Sequence, residues 1–388
     1  MTPMPWWIVC IMVVIGHLGL HVAIYNRVNG FGLHRKTIKR IEFFFLMTTI
    51  LIPLAMWSVF SEVLWDVMQG RPEQLPIPAV LSFYSIACLL AWIGLGIPWL
   101  MWRPIFGLEW IDAPRQTEIV DVQKAVGRPL AQTIRCNLES RLPLNQIFEL
   151  AIDQITFPVA GLPKQLDGYR IAHFSDVHLT GHVHPDFTHY VVQRATDWQP
   201  DLMAIAGDII DSQQCVSWLG DLFGPASAAD GCYFILGNHD KRIVDPDHTR
   251  AEMAKAGWID VGTAPTERQI RGVNAMILGN EAPWFRPASI AAESTADFRL
   301  LLSHSPDQLT WARQHNVDLM LVGHTHGGQG RLPLAGPILS PSLHGSRYAS
   351  GDFYKAPTTM HVSRGLCGTH LMRINCRPQL SLLTLKSL

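Results

Sequence analysis

The chain has 388 residues, of which 48% are hydrophobic and only 16% charged, which leans away from a purely cytosolic enzyme. A formal net charge of -1 provides no global field to recruit nucleic acid, so an anionic substrate must be met by local charge, metal ions included. The seven cysteines form no C-x-x-C pair and no disulfide framework, which fits a reducing compartment.

Three stretches, Trp6 to Tyr25, Ile41 to Phe60 and Ala79 to Trp102, are apolar for about the 20 residues that a helix needs to cross a ~30 Å hydrocarbon core. Each predicts a transmembrane helix, so residues 1–103 read as a membrane anchor. Pro53 and Pro98 are tolerable there because neighbouring helices satisfy the freed carbonyls. No Lys or Arg precedes the first span and its apolar run is long for a signal core, so the span is expected to be retained. Trp6, Trp7, Trp57, Trp65, Trp99 and Trp102 lie at or near span ends, where an amphipathic ring favours the water interface.

The loop from Asn26 to Arg40 carries Arg27, Arg35, Lys36, Lys39 and Arg40 and no acid, whereas Ser61 to Pro78 carries Glu62, Asp66 and Glu73 against Arg71. Positive charge favours the cytoplasmic side of an inner membrane, which predicts a cytoplasmic first loop and a cytoplasmic location for everything after Arg103. His17 and His21 lie four apart on one face of the first span. They are candidates for an intramembrane metal, haem or proton relay, set against the simpler reading of two neutral imidazoles bonded to neighbouring helices.

Residues 104–145 mix charged and apolar positions and include four prolines, which reads as a juxtamembrane connector with room for one helix. From Gln146 the partial alternation of Ile147 to Ile155 predicts a strand, ended by Gly161-Leu162-Pro163, and opens a soluble domain over 146–388. Short apolar strands then recur, each running into polar residues. Tyr169 to Phe174 leads to Asp176-Val177-His178, and Leu202 to Ala206 to Gly207-Asp208. Cys232 to Leu236 leads to Gly237-Asn238-His239-Asp240, Leu300 to Leu302 to Ser303-His304, and Leu319 to Val322 to Gly323-His324-Thr325-His326. With an amphipathic stretch from Pro185 to Trp198 between them, they predict a layered α/β domain with its site at the carboxyl ends of the strands.

Asp-x-His, Gly-Asp, Gly-Asn-His-Asp, a lone His and Gly-His-Thr-His are each weak alone. In this order, each after a strand, they resemble the calcineurin-like metallophosphoesterase family. The resemblance runs from about Leu162 to Leu385 and is closest to a bacterial membrane-anchored subgroup. Its marks include Leu162-Pro163, Asp167-Gly168, Gly327-Gly328-Gln329, Ser363-Arg364-Gly365 and Arg373-Ile374-Asn375-Cys376-Arg377-Pro378. It implies a four-layer α/β/β/α sandwich preceded by three transmembrane helices, and two divalent ions, with Mn, Fe or Zn suited to such donors.

On that resemblance Asp208 bridges the ions. Asp176, His178 and His326 complete one site, and Asn238, His304 and His324 the other. A metal-bridging hydroxide is the implied nucleophile and His239 protonates the leaving group. Asp240, where many relatives carry Glu, is expected to orient His239. Gly207, Gly237 and Gly323 leave room for sharp turns near the metals. Asp211, His173, His182, His184, His189, His344, His361 and His370 match no ligand position and read as solvated or structural, although His182 and His184 follow closely enough to line the cleft.

The expected reaction is hydrolysis of a phosphodiester or pyrophosphate bond at the membrane, in a nucleotide-linked lipid such as UDP-2,3-diacylglucosamine by analogy with membrane-anchored relatives. A general phosphatase or cyclic-nucleotide phosphodiesterase tethered to the membrane is the alternative enzyme. A non-catalytic membrane scaffold would be marked by a lost ligand, yet all seven expected ligands are in place. A haem or electron-transfer protein built on His17 and His21 lacks further paired histidines in the other spans. The expected partners are the phosphate-ester or pyrophosphate substrate and the membrane, with no nucleic acid.

Overall fold

The computed structural model describes residues 5–72, 76–290, 294–368 and 370–387; Glu73, counted in the acidic second loop, and Thr369, in the tail, lie outside the described residues. Helices α1 (Trp6–Val28), α2 (Arg35–Met68) and α3 (Ala79–Trp102) are each long and apolar enough to cross a membrane. They leave large apolar side chains such as Phe43, Phe44, Leu54 and Phe83 uncovered, a surface that suits hydrocarbon rather than water. α2 runs beyond the 41–60 expected, and Phe60 has non-helical dihedrals within it.

His17 and His21 have the polar neighbours that the simpler of their two readings requires. His17 lies 2.6 Å from the Tyr84 hydroxyl and 3.0 Å from the Thr49 carbonyl, and His21 lies 2.8 Å from the His17 carbonyl and 3.1 Å from Thr48 Oγ1. All four ring nitrogens have polar neighbours within the three-helix bundle.

Hydrogen bonds bolt the helices to the hydrolase domain. The Asn26 amide donates to the Ile338 carbonyl at 3.0 Å and its oxygen accepts from the Ser340 amide at 2.9 Å. Arg103, just after α3, donates to the carbonyls of Ser346 at 2.6 Å and Ser350 at 3.2 Å.

Beyond α3, β1 (Arg115–Asp121), α4 (Val122–Val126) and α5 (Ile134–Ser140) occupy the stretch that reads as a connector. β1 pairs antiparallel with β2 (Glu149–Val159) from Arg115↔Ile155 to Asp121↔Glu149. It is an edge strand whose first five residues are exposed, so it lacks the apolar alternation that marks a strand in sequence. Next in the chain are β3 (Arg170–Phe174), α6 (Asp186–Asp197), β4 (Leu202–Ala206), α7 (Leu219–Phe223), β5 (Cys232–Ile235), α8 (Pro246–Lys255) and β6 (Trp258–Asp260). The second half adds β7 (Thr266–Ile270), β8 (Val273–Asn280), β9 (Phe298–Ser303), α9 (Leu309–Gln314) and β10 (Leu319–Val322). Last come β11 (Arg331–Leu332), β12 (Gly336–Pro337), β13 (Gly351–Lys355), β14 (Thr358–Val362) and β15 (Gln379–Ser387).

One sheet has the order β1-β2-β15-β3-β4-β5-β6, the other β13-β14-β10-β9-β8-β7, and β11 and β12 pair as a small hairpin. The last strand thus enters the middle of the first sheet, parallel to β2 and antiparallel to β3.

β4 explains why the strands read as unbroken apolar runs. Leu202 and Ala204 join the core between the sheets, with Leu300, Leu302, Leu319 and Leu321 opposite. Met203 and Ile205 face the other way, against Val191, Val192 and Phe223 of the helices. A third core joins Leu301, Met320 and Val322 to Leu309 and Ala312 of α9. Helix, sheet, sheet and helix therefore stack in four layers, the α/β/β/α sandwich expected. The loops after β3, β4 and β5 meet those after β9 and β10 at one end.

Candidate metal centre

Those five loops bring together all seven candidate ligands. Atoms of Asp176, His178, Asp208 and His326 lie within 4.8 Å of one another, as do those of Asp208, His304 and His324; Asp208 belongs to both groups. Asn238 Oδ1 lies 3.0 Å from His304 Nε2. Asp176, Asp208 and His304 are fully buried and the other four nearly so, apart from His326 at the mouth.

The backbone is bent to achieve this. Asp176, His178, Asp208, His324 and His326 all have φ between 48° and 70°, the left-handed region that non-glycine residues rarely adopt. Such strain persists where surrounding structure over-determines it, commonly at functional sites. Gly237 shows how tight the approach is: a Cβ there would stand 2.3 Å from Asp208 Oδ1.

Three of the four imidazoles are held from behind. His178 Nδ1 donates to Asp211 Oδ2 at 2.5 Å, His304 Nδ1 to the Ala206 carbonyl at 2.8 Å and His326 Nδ1 to the Cys367 carbonyl at 3.0 Å. These bonds select the tautomer whose Nε2 lone pair faces the centre.

The charges favour cations. Burial would lower the pKa of His178, but Asp211, Asp208 and Asp176 outweigh it and raise it to about 9. His304 is likewise lowered by burial and raised by Asp208 and Asp176, again to about 9. A site that draws protons onto its own histidines carries negative charge that a cation can neutralise instead. Asp208 Oδ2 and His324 Nε2 are buried without a hydrogen-bond partner among the described residues, and His178 Nε2 faces His326 Nε2 at 3.3 Å. Orphaned oxygen and nitrogen atoms on residues of this cluster fit a divalent ion.

Asp240 is placed differently from expectation. Its carboxylate accepts the backbone N–H groups of Ile209 at 3.0 Å, Ile210 at 2.8 Å and Gly237 at 2.7 Å, and so shapes the Asp208 loop without touching the His239 ring. Burial, then the neighbouring Asp208 charge, raises its pKa. Asp211 orients His239 instead: its Oδ1 accepts from His239 Nδ1 while Oδ2 serves His178. Its position three residues after Asp208 is the signal that could have singled it out. Arg242 Nη1 lies 2.7 Å from His239 Nε2, and the Trp284 ring stands 4.7 Å from that of His324; neither belongs to a ligand motif.

The remaining histidines serve other purposes. His182 bonds Thr133 and His184 caps Asp186, so neither side chain turns to the centre. His361 sits between Asp352 at 2.6 Å and Ser381 at 2.9 Å, and His173 packs against it in the core between the sheets.

Residues 169–328 match the family model described as calcineurin-like phosphoesterase. The chain is 31% identical over 238 residues to the metallophosphoesterase YkuE of Bacillus subtilis, which covers 58% of this chain and 82% of that one. It is 28% identical over 227 residues to the phosphodiesterase YaeI of Escherichia coli, 56% of this chain and 82% of the relative. It is also 28% identical over 203 residues to a transmembrane protein with metallophosphoesterase domain of Danio rerio, 45% of this chain and 44% of that protein. On these matches, and with a buried cluster suited to divalent ions, the chain belongs to the calcineurin-like metallophosphoesterase family and is a metal-dependent phosphoester hydrolase.

Proposed function

We propose that the chain holds two divalent cations and hydrolyses a phosphodiester or pyrophosphate bond in an amphiphile of the membrane that anchors it. Asp176, His178 and His326 would hold one ion, Asn238, His304 and His324 the other, and Asp208 both. Manganese, iron or zinc suits these donors. Ions at this position supply Lewis acidity toward the phosphoryl oxygens and the attacking water.

The chain's own groups do the rest. Asp211 accepts from His239 Nδ1, and its charge favours the imidazolium, whose Nε2–H would face the leaving oxygen and give it a proton. Arg242 supplies a guanidinium fork for a phosphate oxygen; pairing with substrate would draw it off His239 Nε2, where it now rests.

One observation carries the choice of an amphiphile: the centre opens beside the junction of α1 and α2. Gly32 in that junction packs so closely on Pro283 that a Cβ would stand 2.7 Å from its ring, and the next residue, Trp284, lies over His324. The charges of Arg35 and Glu42, at the start of α2, act on Arg242. A lipid phosphate at the interface then reaches the centre without leaving the membrane surface. The basic first loop, which contains this junction, supports a cytoplasmic orientation in an inner membrane.

The test is the purified full chain with Mn²⁺ in mixed micelles, given a nucleotide-linked diacyl lipid, its deacylated counterpart and soluble phosphomonoesters and diesters. Faster cleavage of the acylated substrate at its pyrophosphate is expected. Equal rates with and without acyl chains would favour a tethered phosphatase or diesterase and overturn the amphiphile reading.

A further inference from the structure

The two tail motifs, Ser363-Arg364-Gly365 and Arg373 to Pro378, supply none of the seven candidate ligands. Their side chains line a different space. A cavity of about 220 Å³ lies between the edge strand β1, its neighbour β2 and the loops around β11, lined by four arginines, Arg115, Arg331, Arg364 and Arg377, together with Asp153. Three have carboxylate partners. Arg115 meets Asp352 at 2.5 Å, Arg364 meets Asp153 at 3.1 Å and Arg377 meets Glu149 at 2.8 Å.

Arg331 has no carboxylate partner among the described residues. Its guanidinium reaches Ser350 Oγ at 3.5 Å, the outer limit of a hydrogen bond, and the Cys376 thiol, a weak acceptor. Yet it is half-buried, and burial lowers its pKa from the ordinary value. A guanidinium has five donors and is costly to bury without an anion, so one with only weak contacts at the wall of a cavity lacks its counter-charge.

The surroundings say where that anion would come from. Ser350, which receives Arg331, also accepts from Arg103 through its carbonyl, and Arg103 directly follows the third span. Leu332 and Leu334, next along the β11–β12 hairpin, are 57% and 101% exposed. A cationic cavity beside a span end, with bare leucines next to it, has the chemistry of a phospholipid at headgroup depth: phosphate in the pocket and glycerol or acyl carbon against the leucines.

We propose that this four-arginine cavity is an anion site separate from the metal centre, that Arg331 is its principal ligand, and that it takes the phosphate group of an anionic phospholipid. It would tie the hydrolase domain to the membrane surface. The site does not depend on the substrate reading above, because no proposed metal ligand faces the cavity.

The test uses the full chain in lipid discs. Native mass spectrometry of protein released from discs of phosphatidylcholine with phosphatidylglycerol should find one phosphatidylglycerol retained by the wild type and by Asp208→Asn. Arg331→Gln should bind it roughly 10- to 100-fold more weakly, as expected for a lost charge-assisted bond. A parallel arm with labelled inorganic phosphate in pure phosphatidylcholine discs separates the sources: binding only in that arm, lost in Arg331→Gln, keeps the anion site but makes free phosphate its ligand. Ile119→Glu puts a carboxylate at the exposed wall and should also abolish binding, which covers the case in which Arg331→Gln misfolds. Equal retention of both ligands by wild type, Arg331→Gln and Ile119→Glu, or retention by none, overturns the proposal.

Discussion

Asp211→Asn keeps the size of the side chain but removes its charge and one of its two acceptor oxygens. Both oxygens are in use, Oδ2 by His178 Nδ1 at 2.5 Å and Oδ1 by His239 Nδ1. An amide can accept from only one of these N–H groups and presents an NH₂ donor to the other. The imidazole facing that donor must move its proton to Nε2 or swing away. If it is His178, its inward lone pair is lost, and metal affinity should fall roughly 10- to 100-fold, about 1.4–2.7 kcal/mol, as for other lost partners of ligating histidines. If it is His239, metal stays, but the imidazolium that donates from Nε2 loses the charge that favours it and the bond that holds it, with a rate loss of roughly 10²- to 10⁴-fold for poor leaving groups. The assay is metal content after dialysis against graded chelator, alongside kcat/KM for alkyl and nitrophenyl esters. Metal loss with equal slowing of both esters would point to His178, and retained metal with selective slowing of the alkyl ester to His239. Unchanged metal content together with unchanged rates would refute the idea that Asp211 positions either histidine.

Asp208→Asn should abolish turnover and lower metal content, because a neutral amide cannot bridge two cations as a carboxylate does; two ions retained with near-normal activity would remove the bridge from the scheme. His239→Ala should keep its metal while losing roughly 10²- to 10⁴-fold in rate, less with nitrophenolate as leaving group, whereas the neighbouring Asn238→Ala should lose metal as well. A His239→Ala variant that sheds metal, or slows good and poor leaving groups alike, would show that His239 is not the acid. Gly237→Ala should cost about 1–3 kcal/mol through overpacking, since its Cβ would stand 2.3 Å from Asp208 Oδ1 and 2.6 Å from His304 Cε1; an unchanged melting temperature and metal content would contradict that crowding. A reporter active only in the cytoplasm, joined to the C-terminus, should be active, and activity of a periplasmic reporter instead would reverse the orientation.

The apolar runs are legible because a span or a strand buried on both faces announces itself within 5 to 24 contiguous residues, as β4 and α3 do. The candidate ligands are legible for a related reason. Each lies within a few residues of a strand end, so order along the chain mirrors order around the centre. β1 hides in the stretch that reads as a connector because an exposed edge strand carries little apolar pattern. Asp211 matches no motif because its function is a pairing through space: it reaches His178 across 33 residues and His239 across 28. Asp240 departs from expectation for the complementary reason, since adjacency to His239 in the chain says nothing of which way the carboxylate turns.

By itself, then, the sequence determined the three spans, the layered α/β domain and the set of residue types able to hold divalent ions. These arise from local periodicity and from the chemistry of individual side chains. Only the tertiary structure decided which carboxylate orients which histidine and that the five positive-φ residues aim their side chains at one point. It alone also brought the centre against the α1–α2 junction and left Arg331 without a carboxylate partner among the described residues. Such facts depend on contacts between distant segments, such as Asn26 with Ile338 across 312 residues and Arg103 with Ser350 across 247. No pattern within a short window encodes them, because packing of the whole chain selects them together.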